Sequence, residues 1–285
     1  MHIVLGGTGH VGSALARELI ARGEPVTVAT HNPDHRDEWL ARGAQVALVD
    51  VHDTAGLRRL FRQGRRLFLL NPPAAPSTDT DAAEKASLYS ILAALEDSGL
   101  EKIVAESTYG AQPLERAGDL GILYEMERGL RKLGIAHSVI RAAYYMSNWD
   151  ASLDDARERG ILRSFLPAEF RLPMVAPHDL GVAAADLMTA PADEQALRYV
   201  EGPRRYSPSD VAACFASALG RAVTVEEVPR DRWVEGFREL GFSQPAAESY
   251  AAMMAATVDG LELADDPVRG ATTLREYIDA LAGVA

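Results

Sequence analysis

Along the first 142 residues, short β-branched apolar runs alternate with longer stretches in which apolar positions recur at helical spacing. The runs predict strands over His2–Leu5, Pro25–Thr30, Gln45–Asp50, Arg66–Asn71, Lys102–Ser107 and His137–Arg141. Helices are expected to begin near His10, Asp34, Thr54, Thr78 and Asp119; the last four open at or beside Asp or Thr, whose short side-chain oxygens satisfy the free N–H groups of a helix start. Strands and helices in alternation make an α/β chain, a doubly wound parallel sheet with helices on both faces.

Beyond residue 142 the rhythm loosens and prolines recur at Pro167, Pro173, Pro177, Pro191, Pro203 and Pro208. Helical patterns run from Asp179 to about Met188, over Ser207–Leu219 with proline at the tolerated first position, and over about Asp231–Leu240, Pro245–Val258 and Thr273–Leu281; Leu197–Val200 reads as a strand. The division expected is a cofactor domain over residues 1–142 and, over 143–285, a small and mostly helical substrate lobe with some elements returning to the sheet.

Between the first strand and the first helix stands Gly6-Gly7-Thr8-Gly9-His10-Val11-Gly12. Glycines at this junction let the chain turn tightly and bring backbone N–H groups, together with the N-terminal end of a helix, up to a pyrophosphate; Gly12 permits close packing of helix on strand. A P-loop is excluded, because Ser13 and Ala14 stand where Lys and Ser/Thr would be needed. With alternating strands around it, the turn predicts dinucleotide binding through Gly6, Thr8, Gly9, His10, Val11 and Gly12. The second strand ends in Thr30-His31-Asn32 without an acid to hold ribose hydroxyls, and His31, His35 and Arg36 follow, so NADP is expected ahead of NAD. Asp50 and Val51 after the third strand, and Asn71-Pro72-Pro73 after the fourth, complete the expected cofactor wall; Asp50 is either an adenine-edge acceptor or, with Asp53, a cap of the next helix.

Composition narrows the partners. The formal net charge is −12, with 41 acidic against 29 basic residues, which disfavours nucleic acid because Lys and Arg supply the counterion-release energy. The local run Arg58, Arg59, Arg62, Arg65 and Arg66 reads as a solvated helix face and its exit. No apolar run approaches the roughly 18 residues of a membrane span, and Met1 to Leu5 lack the basic lead of a secretory signal. The single cysteine, Cys214, cannot pair within the chain and fits a cytoplasmic setting. Seven histidines show no metal-ligand spacing, so no metal is expected.

The glycine turn, Asn32-Pro33, Asp50-Val51-His52-Asp53, Ile140-Arg141-Ala142-Ala143-Tyr144-Tyr145-Met146-Ser147-Asn148, His178-Asp179-Leu180-Gly181 and Glu201-Gly202-Pro203 leading into Ser207-Pro208-Ser209-Asp210 together resemble the NmrA-like branch of the atypical short-chain dehydrogenases/reductases. The resemblance runs from residue 1 to about 260. It implies a Rossmann domain binding NAD(P) with a small C-terminal lobe, in a monomer or homodimer acting on a small molecule. Similar members include bacterial quinone and dye reductases, and regulators that bind the nucleotide without turning it over.

The wider superfamily uses a Tyr-x-x-x-Lys pair; here Tyr124 is followed four residues on by Arg128, and Ser107 stands near the carbonyl-orienting position, where it is a candidate cofactor contact as well. A Ser107–Tyr124–Arg128 constellation is physically possible, because a guanidinium favours tyrosinate as an ammonium does. The alternative is that Tyr124 packs and Arg128 decorates a solvated face. The missing lysine argues against a sugar-nucleotide epimerase, whereas hydride transfer to a quinone-like or conjugated carbonyl acceptor demands mainly orientation and exclusion of water. Tyr109, Tyr144, Tyr145 and Trp149 follow strand ends and are candidate substrate contacts, with core packing as the plain alternative. Two functions are therefore open: an NAD(P)H-dependent oxidoreductase, or a non-catalytic redox-sensing regulator.

Overall fold

A computed structural model describes residues 1–260 and 262–284. Six strands alternate with five helices in the first half: β1 (His2–Leu5), α1 (His10–Ala21), β2 (Val26–Thr30), α2 (Arg36–Ala41), β3 (Gln45–Leu48), α3 (Thr54–Phe61), β4 (Arg66–Leu69), α4 (Thr80–Leu95), β5 (Lys102–Thr108), α5 (Asp119–Leu133) and β6 (His137–Ala142). The second half continues as β7 (Tyr144–Tyr145), α6 (Leu153–Glu158), β8 (Ile161–Ser164), β9 (Leu172–Val175), α7 (Pro177–Thr189), β10 (Leu197–Glu201), β11 (Arg205–Tyr206), α8 (Pro208–Leu219), β12 (Thr224–Glu227), α9 (Trp233–Glu239), α10 (Gln244–Gly260), β13 (Val268–Arg269) and α11 (Leu274–Ala282).

The main sheet has eight parallel strands in the order β13-β10-β6-β5-β4-β1-β2-β3. This is the doubly wound Rossmann-type α/β arrangement, in which strand order reverses between β1 and β4 and leaves a crevice beyond their C-terminal ends. Period-2 alternation assigns the side chains to two faces. Ile3, Leu5, Leu67, Leu69, Ile103 and Ala105 pack on one face with Leu57, Leu88, Ile91, Ile122 and Met126 of α3, α4 and α5. Val4, Val28, Phe68, Val104, Ile140 and Val200 pack on the other with Val11, Leu15 and Leu19 of α1 and Leu180, Ala184 and Leu187 of α7. With both faces covered, β1, β2 and most of β4 and β5 are fully buried, while the edge strand β3 is partly exposed.

The contact between α1 and α7 is closest at Gly181, where a Cβ would lie 2.7 Å from the Leu15 backbone nitrogen and 2.7 Å from Ala14 Cβ. Glycine at that position lets α7, an element of the second half of the chain, seat directly on α1. β10 pairs with β6 and β13 with β10, so the second half also extends the sheet.

The remaining elements build a lobe around a third core that includes Trp149, Leu162, Phe215, Trp233, Phe237 and Met254. Capping boxes start α8 at Ser207 and Asp210 and α11 at Thr273 and Glu276. Small sheets, β11-β9-β7 and β12-β8, join the lobe to the end of β6. Polar ties fix the lobe to the sheet side, among them Ser243 N–H donating to the Pro76 carbonyl at 2.9 Å, Gly118 N–H donating to Ser249 Oγ at 2.8 Å, and Asp179 accepting from Thr272 N–H at 3.0 Å.

Some expected boundaries shift for physical reasons. Asn32 caps a single 3-10 turn, Pro33–His35, so α2 begins at Arg36 rather than Asp34. Asp79, not Thr78, caps α4 by accepting from Ala82 N–H. The strands β7, β8, β9, β11, β12 and β13 have two to four residues each and carry no period of their own.

Candidate active site

The turn after β1 is built as its glycines require. Gly6 has φ +69°, in the left-handed region that favours glycine. Gly12 lies against the turn itself: a Cβ there would stand 2.2 Å from the Gly6 carbonyl oxygen and 2.9 Å from Gly7 Cα. Gly9 is different. Its backbone is extended, and the nearest atom to a Cβ there is the Gly6 carbonyl oxygen at 3.4 Å. The protein leaves the space beside Gly9 open, and that space belongs to a cleft.

The cleft has a volume of about 1290 Å³. Single-ligand pockets span roughly 300–1,000 Å³, so it has room for a dinucleotide and a second molecule. Gly6, Thr8, Gly9, His10, Val11 and Gly12 line one end, with Thr30, His31, Asp50 and Val51 beside them. Asn71, Pro72 and Pro73 line the middle, and Tyr109, Tyr144, Tyr145 and Trp149 the far side. The crevice therefore gathers loops that follow β1, β2, β3, β4, β5 and β6. Open glycine-lined space at the N-terminus of α1, apolar walls and no side chain filling the turn fit a pyrophosphate-bridged dinucleotide.

Several expected residues stay outside. Asn32 is used in capping, its side-chain oxygen accepting from Asp34 N–H at 2.9 Å, and Arg36 follows that turn onto α2; neither lines the cleft. The imidazoles His31 and His52 line this end instead, because the 3-10 turn carries the chain away before Arg36. Asp53 is the cap of α3, accepting from Gly56 N–H at 2.9 Å. Asp50 closes a local turn by accepting from His52 N–H through Oδ1 and still lines the cleft. The arginine run is spent on its own surface, with Arg58 donating to the Ala93 carbonyl and Arg65 to Glu101.

Among the described residues, no hydrogen bond joins Ser107, Tyr124 and Arg128. Helix α5 contributes Asp119, Leu120 and Leu123 to the cleft wall, whereas neither Tyr124 nor Arg128 lines it, and Arg128 is exposed. Ser107 is buried and donates to Glu127 Oε1 at 2.7 Å, and the same carboxylate takes both Nε and Nη2 of Arg141 at 2.9 Å. Arg141 Nη1 continues to Tyr199 Oη at 2.9 Å. This is a buried ion-pair network, and it leaves Ser107 no free hydroxyl proton for a substrate carbonyl. Tyr109 is similarly committed, donating to Glu201, whose other oxygen takes Arg269 Nη1 at 2.7 Å.

Sequence reasoning passed over Glu106, a lone acid in the apolar run of β5. It lines the cleft, and Tyr145 Oη donates to its Oε1 at 2.6 Å. It also passed over the lobe's contribution: Phe165 and Phe237, stacked at 4.0 Å, and Phe242 and Tyr250, edge to face at 4.8 Å, line the far end. The first could have been flagged from a charge inside a strand; the second depends on which way the lobe folds back.

Burial pushes the carboxyls of both Glu84 and Glu106 up to about 7, with the Asp119 charge adding to each. From the ordinary value of 4.5 up to about 7, the folded chain holds protons that the unfolded chain has released. Their stabilisation is complete below the unfolded value and is lost as pH rises through the folded one. Melting temperature is thus expected to fall between about pH 5 and pH 7.5, by the equivalent of a few kcal/mol, and Glu84→Gln with Glu106→Gln should flatten that slope in a calorimetric pH series.

With this geometry in hand, a profile of the NmrA-like family matches residues 2–262. The chain belongs to the NmrA-like family. Among its relatives, an NAD(P)H azoreductase of Xenophilus azovorans is 24% identical over 250 residues, 87% of this chain and 84% of that one. An Escherichia coli NADPH-dependent quinone oxidoreductase, solved with NADPH, superposes with a TM-score of 0.80 at 20% identity, covering 99% of each chain. A Citrobacter triphenylmethane reductase solved with NADP(H) gives a TM-score of 0.80 at 19% identity over 98% of this chain and 99% of that one. The fold of this NmrA-like chain is thus that of NAD(P)-binding reductases. Among the described residues, no helix is long and apolar enough to cross a membrane.

Proposed function

We propose that this NmrA-like chain is a cytoplasmic, NADPH-preferring oxidoreductase that passes hydride to a small apolar acceptor, quinone-like or a conjugated carbonyl. The observation that carries the reading is one continuous cleft joining the glycine turn to an aromatic wall in the lobe. Relatives named as azo, quinone and triarylmethane dye reductases support the same class.

The nucleotide, when bound, supplies the hydride. Backbone N–H groups at Gly9 to Gly12 and the start of α1 would receive the pyrophosphate. Asp50 and Val51 would flank the adenosine, and His31 and His52, with no acid ending β2, favour a 2′-phosphate there. Asn71, Pro72 and Pro73 hold the middle of the cleft. Tyr144, Trp149 and the Phe165–Phe237 stack offer flat apolar faces to an aromatic acceptor while excluding water, the main demand of hydride transfer.

Fluorescence titration of the purified chain with NADPH and NADH, followed by steady-state assays with a panel of quinones, dyes, enals and ketones, tests this reading. NADPH is expected to bind more tightly and to be oxidised with at least one aromatic acceptor. Binding without turnover of any acceptor would overturn it in favour of a nucleotide-sensing role, in keeping with the relative named as a nitrogen metabolite regulation-like protein of Gibberella fujikuroi.

A further inference from the structure

Reduction of a quinone to a hydroquinone needs a hydride and a proton, and the cleft holds a tyrosine, Tyr145, paired with an acid, Glu106, that no cation faces among the described residues. Tyr109 Oη donates its hydrogen bond to Glu201, which is also held by Arg269, and Tyr124 does not line the cleft. Tyr144 lies beside Trp149 in a tilted pair, with ring centroids 5.9 Å apart, and its hydroxyl meets Asn148 rather than a carboxyl among the described residues. Tyr145 faces the same cleft with its hydroxyl 2.6 Å from Glu106 Oε1. Glu106 is 4% exposed, its Oε2 is buried without a hydrogen-bond partner among the described residues, and no cation stands against it.

We propose that Tyr145 and Glu106 form a proton relay, in which the Tyr145 hydroxyl protonates the hydride-reduced acceptor and the Glu106 carboxyl returns a proton to the tyrosine. The proposal rests on the reading that this cleft reduces an acceptor with a nicotinamide hydride. The balance is direct. A quinone gains both electrons and one hydrogen with the hydride; its oxyanion then bonds the Tyr145 proton as that O–H breaks. The tyrosinate takes the Glu106 proton, and the Glu106 carboxylate is reprotonated from solvent through the open cleft.

The surroundings suit this cycle. Glu106 faces Tyr145 from β7 and Asp119 from the start of α5. Burial and the Asp119 charge raise its carboxyl to about 7, while the Tyr145 hydrogen bond pulls the other way. Burial and the neighbouring acid hold the Tyr145 hydroxyl well above its ordinary value, so the tyrosine is protonated at rest. An acid that titrates near neutral pH can both give and regain a proton within a turnover.

Two acceptors separate proton delivery from everything else. Menadione needs hydride and proton, whereas crystal violet, a cationic triarylmethane dye, becomes its neutral leuco form on gaining hydride alone. With NADPH as donor, Glu106→Gln and Tyr145→Phe should lower the menadione-to-dye rate ratio on the order of a hundredfold. The wild-type menadione rate should fall as pH rises through about 7, and that limb should be missing in Glu106→Gln. Independently of turnover, and with the second raised carboxyl removed, infrared titration of nucleotide-free Glu84→Gln protein should show a protonated-carboxyl band disappearing near pH 7, absent when Glu106→Gln is added. Equal loss on both acceptors, an unchanged ratio, or no such band overturns the relay. Wild-type protein that reduces neither acceptor overturns the oxidoreductase reading and the relay with it, even if the band is present.

Discussion

Gly9→Val is expected to leave a folded protein that has lost nucleotide affinity by a factor of roughly one hundred or more, about 2.7 kcal/mol. The extended backbone at Gly9 accepts any residue, and no protein atom lies nearer than 3.4 Å to the new Cβ. The added methyl groups therefore project into the cleft where backbone N–H groups must meet a pyrophosphate. Gly12→Val makes the contrast. Its Cβ would collide with the Gly6 carbonyl at 2.2 Å, so strand and helix must separate, and stability should fall together with binding. Thermal melts paired with NADPH titrations distinguish the two. A Gly9→Val protein that binds NADPH as tightly as the wild type would remove the turn from the cofactor site.

The second large effect is expected at residues that do not line the cleft. Glu127→Leu strips the partner from Arg141 and from Ser107 in a region where the Arg141 side chain is 16% and the Glu127 side chain 4% exposed. A buried charge left without its partner typically costs about 3–5 kcal/mol, and at this chain length that lowers the melting temperature by roughly 6–15 °C. Because neither Glu127 nor Arg141 lines the cleft, nucleotide affinity of the folded fraction should be nearly unchanged. If instead Glu127→Leu melts like the wild type but loses turnover, the Ser107–Glu127–Arg141 group is part of the chemistry rather than of the frame. The two variants thus separate residues that make the cleft from residues that keep β5, β6 and α5 together.

What could be seen in the chain before folding follows from local physics. Period-2 burial in strands such as Ile3–Leu5 and Leu67–Leu69, caps at Asp53, Ser207 and Thr273, and glycines at Gly6 and Gly12 all act within a few residues, so each leaves a local mark. Those marks determined the parallel α/β sheet, the place of the glycine turn and the NmrA-like resemblance. The ends of β1 to β6 also had to meet along one edge, which put Asn71, Tyr109, Tyr144, Tyr145 and Trp149 near the turn.

Tertiary structure alone decided the rest. A tyrosine four residues before an arginine has the spacing of a catalytic pair, but which face of α5 meets the cleft is set by packing against α4 and β5, and that face carries Asp119, Leu120 and Leu123. Arg36 was close in sequence to the expected phosphate site, yet one 3-10 turn carried it past. Glu106 and Tyr145 are 39 residues apart, and their hydrogen bond exists because β5 and β6 are neighbours and β7 continues directly from β6. The aromatic end of the cleft comes from residues 165 to 250, brought over the sheet edge by polar ties such as Ser243 to Pro76. Contacts between distant segments depend on the whole packing free energy, and no short window of sequence holds that information.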